Sequence, residues 1–309
     1  MESEALTDSM TVFPLAFLML LQAASATAPQ ATALVEDARR LTAAATNEAR
    51  FEALTALLRS RGLAFTVEPF TIEKPVGREP RTEGRNVVLT IGEGPQDLVI
   101  GAHYDAVRLP DGSLSRGAVD NAASSVMLIG LAETLRAEPL PIRIRVVWFD
   151  MEEIGFLGSA QYLKEHATDR IAAMLNFDIN AYGDTIMFGP AERPESAALR
   201  RAFMETCAAA DIPCVRFAQM PPSDDRSFVR AGVPAISVAI VPALDVHQLW
   251  LMMNAGANSG LAQGMAPSIL RTIHSPEDTA DKLNAEAMRR VRRFAELLVR
   301  SVARQLAHP

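Results

Sequence analysis

Four short apolar runs constrain the fold of this chain more than any other feature. A strand with one face in water alternates apolar and polar side chains, whereas a strand covered on both faces can be apolar throughout. The four runs are of the second kind and are rich in valine and isoleucine, so each predicts a buried strand. The runs are "DLVIGAHYD", "IRIRVVWFD", "AAMLNFD" and "VPAISVAI".

Helical patterns separate these runs. Leu128, Leu131 and Leu135 recur at the spacing of one helix face, and "ESAALRRAFMETCAAA" is also helix-like. The last helical segment, Asn284 to Ala307, has one apolar stripe and arginines mostly on its other face. Strands that alternate with helices predict an α/β fold, a three-layer sandwich with a mostly parallel central sheet flanked by helices.

The residues before the first buried run predict a helix and two more strands. Alanine-rich residues from Ala33 to Arg61 favour one helix, ended by Gly62. "LAFTVEPF" and "RNVVLTI" favour strands on either side of a loop with proline and glycine. The pattern contains no evident linker, so we expect residues 29–309 to form a single domain.

The N-terminal segment, residues 1–28, has the anatomy of a secretory signal peptide. The apolar run Thr11 to Ala28 passes into small residues with two A-x-A cleavage sites, and it is short for a membrane span. Its acidic lead is atypical, although a start at Met10 would remove that lead. We therefore expect a secreted or periplasmic protein. The alternatives are an uncleaved anchor, which would place the chain at a membrane, and an ordinary buried helix.

Two cysteines and the net charge restrict the compartment and the partners. Cys207 and Cys214 are separated by six residues and a predicted turn, which suits a disulfide in an exported protein. Two buried free thiols are the alternative. The formal net charge of −7 argues against a nucleic-acid partner, because the phosphate backbone repels an acidic protein.

Acidic and histidine side chains follow the predicted buried strands or lie in loops near them. Ligand sites of open α/β sheets lie beyond the carboxyl ends of the strands, so we expect these side chains to share one edge. They are His103, Asp105, Asp120, Glu152, Glu153, Asp178 and His274.

Each of these residues alone has an ordinary explanation. An aspartate can cap a helix, and glutamates in a first turn are favoured by the helix dipole. These explanations do not account for several acids at one edge, where their charges repel. A pair of divalent cations does, because bound cations neutralise converging carboxylates. Nitrogen and oxygen ligands together suit zinc better than magnesium or calcium.

Five motifs in order connect these residues to a known family. The segments "GAHYD", "GAVDNAASS", "MEEIGFLGS", "NFD" and "HSPEDT" resemble the di-zinc aminopeptidase family, whose relatives include glutamate carboxypeptidases and glutaminyl cyclases. The resemblance covers roughly Val87 to Ala307. It implies two zinc ions per chain in a zinc-peptidase-like catalytic domain. The implied ligands are His103 and Asp178 for one ion, Glu153 and His274 for the other, and Asp120 as the bridge.

The resemblance also implies an activity and two further roles. The chain would hydrolyse the N-terminal bond of peptides with a free N-terminus, with a zinc-activated water and Glu152 as general base. Asp105 would orient His103, since a ligating histidine usually donates its other N–H to an acceptor. We expect Glu152 and Glu153 to lie in extended backbone, where neighbouring side chains point in opposite directions.

Three other functions are compatible with this reading. A glutaminyl cyclase has the same fold and uses one zinc for an intramolecular acyl transfer, although "EEIGFLGS" looks aminopeptidase-like. A carboxypeptidase needs basic residues for the substrate carboxylate, which the sequence does not identify. A non-catalytic ectodomain of this fold is expected to have lost ligands, and here all are present.

Substrate preference is predicted less directly. Trp250 to Met253 could line an apolar pocket for a hydrophobic first residue, or this segment could simply be a helix packed on the core. His247 is not expected to be a ligand, because the five implied positions are filled. In "SDDRSF", Asp225 takes the place of a histidine that is common in the family near the substrate.

Overall fold

A computed structural model describes residues 32–138, 140–256, 260 and 264–307. The predicted signal peptide, residues 1–28, lies outside the described residues. Among the helices that are described, none combines the length and apolar character that a membrane crossing requires.

Eight strands form one mixed sheet in the described part of the chain. The order across the sheet is β1-β2-β4-β3-β5-β8-β6-β7. Strands β4, β3, β5 and β8 run parallel at the centre, as do β6 and β7, whereas β1 with β2, β2 with β4, and β6 with β8 are antiparallel. The strands are β1 (Thr66–Thr71), β2 (Glu83–Ile91), β3 (Asp97–His103), β4 (Arg143–Phe149), β5 (Ile171–Phe177), β6 (Thr185–Gly189), β7 (Cys214–Arg216) and β8 (Ala235–Val241).

Both faces of the central sheet are buried, which explains the continuous apolar runs. In β4, Val146 and Trp148 belong to the larger core, whereas Val147 and Phe149 belong to a smaller core on the opposite face. Successive strand residues point to opposite faces, so a strand covered on both must be apolar at every position. The predicted α/β three-layer fold is confirmed, and the parallel strands are those at the centre of the sheet.

Helices cover the two faces unequally. The helices are α1 (32–42), α2 (Asn47–Ser60), α3 (Ala123–Ala137), α4 (Leu157–Glu165), α5 (Ala197–Ala210), α6 (Asp225–Arg230), α7 (Ala243–Asn254), α8 (Ser268–Thr272) and α9 (Ala285–Ala307). Helices α4 and α6 pack on the smaller core, and α3, α5 and α9 contribute to the larger one.

The single helix predicted from Ala33 to Arg61 is wrong, because the structure has two helices there. Helix α1 ends at residue 42, and α2 begins after Thr46, whose hydroxyl accepts a hydrogen bond from the Ala49 N–H. This N-cap gives the second helix its own start. Gly62 follows α2 with a positive φ of 61°, as expected for the residue after a helix end.

Two short strands, β6 and β7, were not predicted from the sequence, and a disulfide lies beside β7. Strand β6 has five residues and β7 has three, which is too short for a recognisable period. The predicted disulfide between Cys207 and Cys214 is present and joins α5 to β7. The alternative of two free thiols is therefore wrong.

Candidate metal centre

Three adjacent parallel strands deliver the first group of site residues. His103 is the last residue of β3, Asp178 follows β5, and Glu152 and Glu153 follow β4. Because β4, β3 and β5 are neighbours and parallel, their carboxyl ends meet at one edge. His103 Nε2 lies 3.5 Å from Asp178 Oδ1 and 4.0 Å from Glu152 Oε2.

Asp120 connects the two histidines of the site. Its Oδ1 lies 3.1 Å from His103 Nε2, and its Oδ2 lies 3.1 Å from His274 Nε2. His274 Nε2 is also 3.0 Å from Glu153 Oε2. The two carboxylate oxygens of Asp120 thus face two different histidines, an arrangement that suits a bridging ligand.

The turn after β4 differs from the sequence-based expectation. Glu153 begins a turn over residues 153–155, and Met151 just before the pair has a left-handed φ of 57°, so the pair does not continue the extended backbone of β4. The carboxylate of Asp105 accepts hydrogen bonds from the N–H groups of both glutamates, at 3.1 and 3.3 Å. The tight turn also requires Gly158, because a Cβ there would lie 2.2 Å from the Asp150 carbonyl oxygen. Turn geometry, not strand alternation, therefore directs the two carboxylates.

Asp105 lies where it can orient His103. Its Oδ1 is 3.4 Å from His103 Nδ1, and its carbonyl oxygen is 3.3 Å from the same nitrogen. The other ring nitrogen, Nε2, points toward the acidic cluster. Asp105 thus contacts both the histidine and the turn that carries the two glutamates.

The donor atoms fit a bound metal. His103 Nε2, Glu153 Oε1 and Asp178 Oδ1 are buried, and none has a hydrogen-bond partner of acceptable geometry within the described residues. Buried polar atoms are normally satisfied, so such a group of atoms is expected to have another partner. In each of two groups of residues, the potential ligand atoms all lie within 4.8 Å of one another. One group is His103, Glu152 and Asp178, and the other is His103, Asp120 and Glu153. Nitrogen and carboxylate oxygen together are typical zinc ligands.

Burial and mutual repulsion dominate the electrostatics of the carboxylates. Burial raises the pKa of Glu152 well above its usual range, and it raises the pKa of Glu153 to about 7. Two hydrogen bonds raise the pKa of His274 to about 11; the bond to Asp120 has the larger effect and the bond to Glu153 the smaller one. Burial alone would also raise the pKa of Asp120, but its contacts with both histidines lower it. Cations bound among these carboxylates would offset their repulsion.

A cavity of about 390 Å³ opens onto this cluster. Apolar side chains form one wall of it, and they are Phe156, Ile179, Pro221, Pro222, Leu270 and Ile273. Residues Trp250 to Met253 are not among the described residues that line it, and Trp250 instead donates a hydrogen bond to the Arg216 carbonyl. The apolar wall predicted from α7 is therefore formed by other residues. His247 is exposed on α7, outside both clusters of described residues.

A known protein family matches most of this chain. Residues 86–299, well over half of the chain, match Peptidase family M28. This chain belongs to peptidase family M28. The predicted family resemblance is therefore confirmed, and all seven site residues lie within the matched region.

Curated relatives of this M28 chain are aminopeptidases. An aminopeptidase of Pseudomonas aeruginosa is 35% identical over 138 residues, which cover 40% of this chain and 25% of that protein. Aminopeptidase YwaD of Bacillus subtilis is 31% identical over 91 residues, 29% of this chain and 19% of that protein. The chain thus spans about a quarter or less of the length of these relatives.

Solved structures share the fold at low sequence identity. Glutaminyl cyclase of Porphyromonas gingivalis has a TM-score of 0.69 and 19% identity, with 89% of this chain and 98% of that chain covered. A zinc aminopeptidase from Bacillus subtilis has a TM-score of 0.55 and 18% identity, with 73% of this chain and 50% of that chain covered. At such identities the similarity shows the fold alone.

Two further acids of this M28 chain lie close to the site. The sequence alone predicted no role for them. Asp278 accepts hydrogen bonds from the N–H groups of Val119 and Asp120, at 2.6 and 3.1 Å. Asp224 is completely buried, and burial raises its pKa to about 8. Repulsion between the Asp224 and Glu152 carboxylates contributes, after burial, to the raised pKa of Glu152. In the sequence, these two acids lie in the motifs "HSPEDT" and "SDDRSF", beside His274 and Asp225.

Asp225, which takes the place of the family histidine, makes its side-chain hydrogen bond within a buried polar network. Its Oδ1 accepts a hydrogen bond of 2.8 Å from Ser237 Oγ, and Asn176 Nδ2 donates to the same Ser237 oxygen at 3.0 Å. Asp225 is buried and is not among the described residues that line the cavity. The substitution thus belongs to a buried polar network and not to the lining of the cavity.

Proposed function

We propose that this chain is a metal-dependent aminopeptidase that hydrolyses the N-terminal bond of peptides, with two zinc ions and with Glu152 as general base. The observation that carries the proposal is the position of Asp120. Its two carboxylate oxygens each lie 3.1 Å from a histidine Nε2, and the two histidines come from distant parts of the chain. This arrangement suits two metal positions that share one ligand.

The distances between the side chains suggest which residues would bind each of the two metal ions. His103 and Asp178 would hold one ion, Glu153 and His274 would hold the other, and Asp120 would belong to both. When bound, zinc supplies Lewis-acid chemistry toward a peptide carbonyl.

Glu152 is suited to move the proton in this reaction. Its carboxylate lines the cavity, and burial raises its pKa well above the usual range. A general base works best when its pKa approaches the working pH. Glu152 would accept the proton of the attacking water and return it to the departing amine.

The lining of the cavity disfavours a substrate C-terminus. Among the described residues that line it, none is a lysine or arginine. A substrate carboxylate requires a basic partner in such a place, whereas a free amine can donate hydrogen bonds to carboxylate oxygens. The proposed substrates are therefore peptides with a free amino end, and carboxypeptidase activity is not favoured.

The apolar wall predicts a preference for a hydrophobic first residue. Leu270 is 45% exposed and lines the cavity beside the carboxylates. Leu270→Lys is expected to lower kcat/KM for leucyl-4-nitroanilide by about tenfold, because part of an apolar contact is lost. Leu244→Lys is the matched control, since Leu244 is 67% exposed on α7. Equal kinetics in both variants would contradict the assigned wall.

The function is tested by hydrolysis of aminoacyl-4-nitroanilides before and after treatment with a chelator. Turnover should disappear with the chelator and return when zinc is added back, because the ligands lose their metal. Acetyl-leucyl-4-nitroanilide, which has no free amine, is the control and should not be cleaved. Turnover that is insensitive to the chelator would rule out the metal mechanism.

Glutaminyl cyclase activity is the second candidate. It is favoured by the fold similarity to Porphyromonas gingivalis glutaminyl cyclase, which extends over 98% of that chain. Incubation with a peptide that begins with glutamine separates the two activities by mass spectrometry. Loss of ammonia with an intact backbone would identify the cyclase, whereas release of glutamine would identify the aminopeptidase.

We also propose that the chain is exported. The disulfide between Cys207 and Cys214 supports this proposal, because disulfides persist mainly in oxidising compartments. N-terminal sequencing of the protein from culture medium or periplasm should find a start directly after one of the two A-x-A sites. Recovery of the chain only from the cytosol would contradict export.

A further inference from the structure

A buried arginine from the N-terminal part of the chain lies beneath the candidate metal centre. Arg50, on helix α2, is fully buried, with 0% of its surface exposed. All three of its guanidinium nitrogens donate to backbone carbonyls. Nε donates to Tyr104 at 2.7 Å, Nη1 to Arg116 at 2.8 Å and Nη2 to Gly117 at 3.2 Å.

These carbonyls belong to the two loops that carry candidate ligands. Tyr104 directly follows His103, and Gly117 is three residues before Asp120. Gly117 has a φ of 51°, and a Cβ there would lie 3.3 Å from Arg50 Nη1 and 2.6 Å from the Asp120 carbonyl oxygen. The guanidinium, the glycine and the Asp120 loop are therefore packed in direct contact.

Burial lowers the pKa of Arg50, and the negative charges of the site's acids oppose that effect. The electrostatic partners of Arg50 are Asp105, Asp278, Glu153 and Asp120. A buried charge is costly unless it is compensated, so the guanidinium and these carboxylates stabilise one another. Asn47 of the same helix adds a second attachment, because its amide bonds both the N–H and the carbonyl of Ala106.

Arg50 lies outside the region that matches the family, which begins at residue 86. Helix α2 thus brings to the site a group that the family motifs do not contain. A guanidinium holds its donors in one rigid plane, so one side chain can fix three acceptors relative to each other. A lysine ammonium has a single nitrogen on a flexible stem and cannot reproduce this pattern.

We propose that Arg50 is a positioning residue of the candidate metal centre, which holds the loops of His103 and Asp120 at the separation that metal binding requires. The inference rests on the proposed metal centre but not on the identity of the substrate. It makes the segment before residue 86 part of the functional unit.

The test compares Arg50→Lys and Arg50→Met with the control Arg59→Met in the full chain. Arg59 lies on the same helix and is exposed, so the control makes the same chemical change away from the site. Zinc affinity is measured by competition with a chromophoric chelator, and the visible spectrum is recorded with Co²⁺ in place of zinc. Both Arg50 variants should bind zinc about 10- to 100-fold more weakly, as expected when a group that orients ligands is lost.

The cobalt spectrum separates positioning from general destabilisation. A change in ligand geometry alters its bands, whereas a less stable protein with an intact site retains them below its melting temperature. If Arg50→Met does not fold, Arg50→Lys still decides, because it retains the positive charge on a long aliphatic stem. In that variant, amide hydrogen exchange of residues 103–106 and 116–121 should also be faster than in the wild type.

Several outcomes would overturn the inference. If Arg50→Lys has the zinc affinity, cobalt spectrum and amide exchange of the wild type, the three-donor guanidinium is not needed. Tighter zinc binding in Arg50→Met would mean that Arg50 acts as a competing charge and not as a positioning group. The proposed function fails separately, if the wild type binds zinc yet cleaves no peptide; the Arg50 measurements remain decisive in that case.

Discussion

Glu152→Gln is expected to lower kcat by about 10³-fold, because the amide cannot accept the proton of the attacking water. The substitution conserves shape, so both metal positions should remain loaded. Hydrolysis of leucyl-4-nitroanilide and elemental analysis of the same sample check the two statements. Glu165→Gln is the matched control, since Glu165 is exposed at the end of α4.

Metal content decides between two roles of Glu152. Its carboxylate also lies among atoms that could ligate one ion together with His103 and Asp178. Loss of one zinc in Glu152→Gln would make this residue a ligand. Near-wild-type activity would remove it as the general base.

Asp120→Ala is expected to remove both zinc ions, because this side chain is the one that contacts both histidines at 3.1 Å. Glu153→Ala and His274→Ala should each retain about one ion, since the ligands of the other position are untouched. Elemental analysis after gel filtration measures the difference. Asp169→Ala, an exposed aspartate, is the control and should keep the wild-type content.

The same variants have a thermal signature. A ligand that binds only the folded state stabilises it, so zinc should raise the melting temperature of the wild type. That increase should vanish in Asp120→Ala and shrink in His274→Ala. Similar metal content in Asp120→Ala and His274→Ala would contradict the bridging role.

The strands that end at the site could be predicted from the sequence, because burial on both faces of the sheet produces a continuous run of apolar residues. The runs before His103, Glu152 and Asp178 are continuous and apolar, and the carboxyl ends of parallel strands share an edge. Those two facts predicted which residues would meet. The split of the first helix was also encoded locally, through the capping hydroxyl of Thr46, but the alanine-rich composition on both sides concealed it.

The conformation of the turn after β4 was not predictable in the same way. Extended backbone was a reasonable expectation for Glu152 and Glu153, since they follow a strand. The turn forms because Asp105, 47 residues earlier, accepts both of their N–H groups. A contact between residues so far apart leaves no periodic signal in either segment.

Residue types, order and spacing were thus enough for the fold class, the family and the candidate ligands, because each follows from local pattern or motif. The partners of buried charges were decided only when the chain folded. Arg50 reads as one more polar residue of a surface helix. Whether a charge is buried depends on the groups that compensate it, and those are brought together only by tertiary packing.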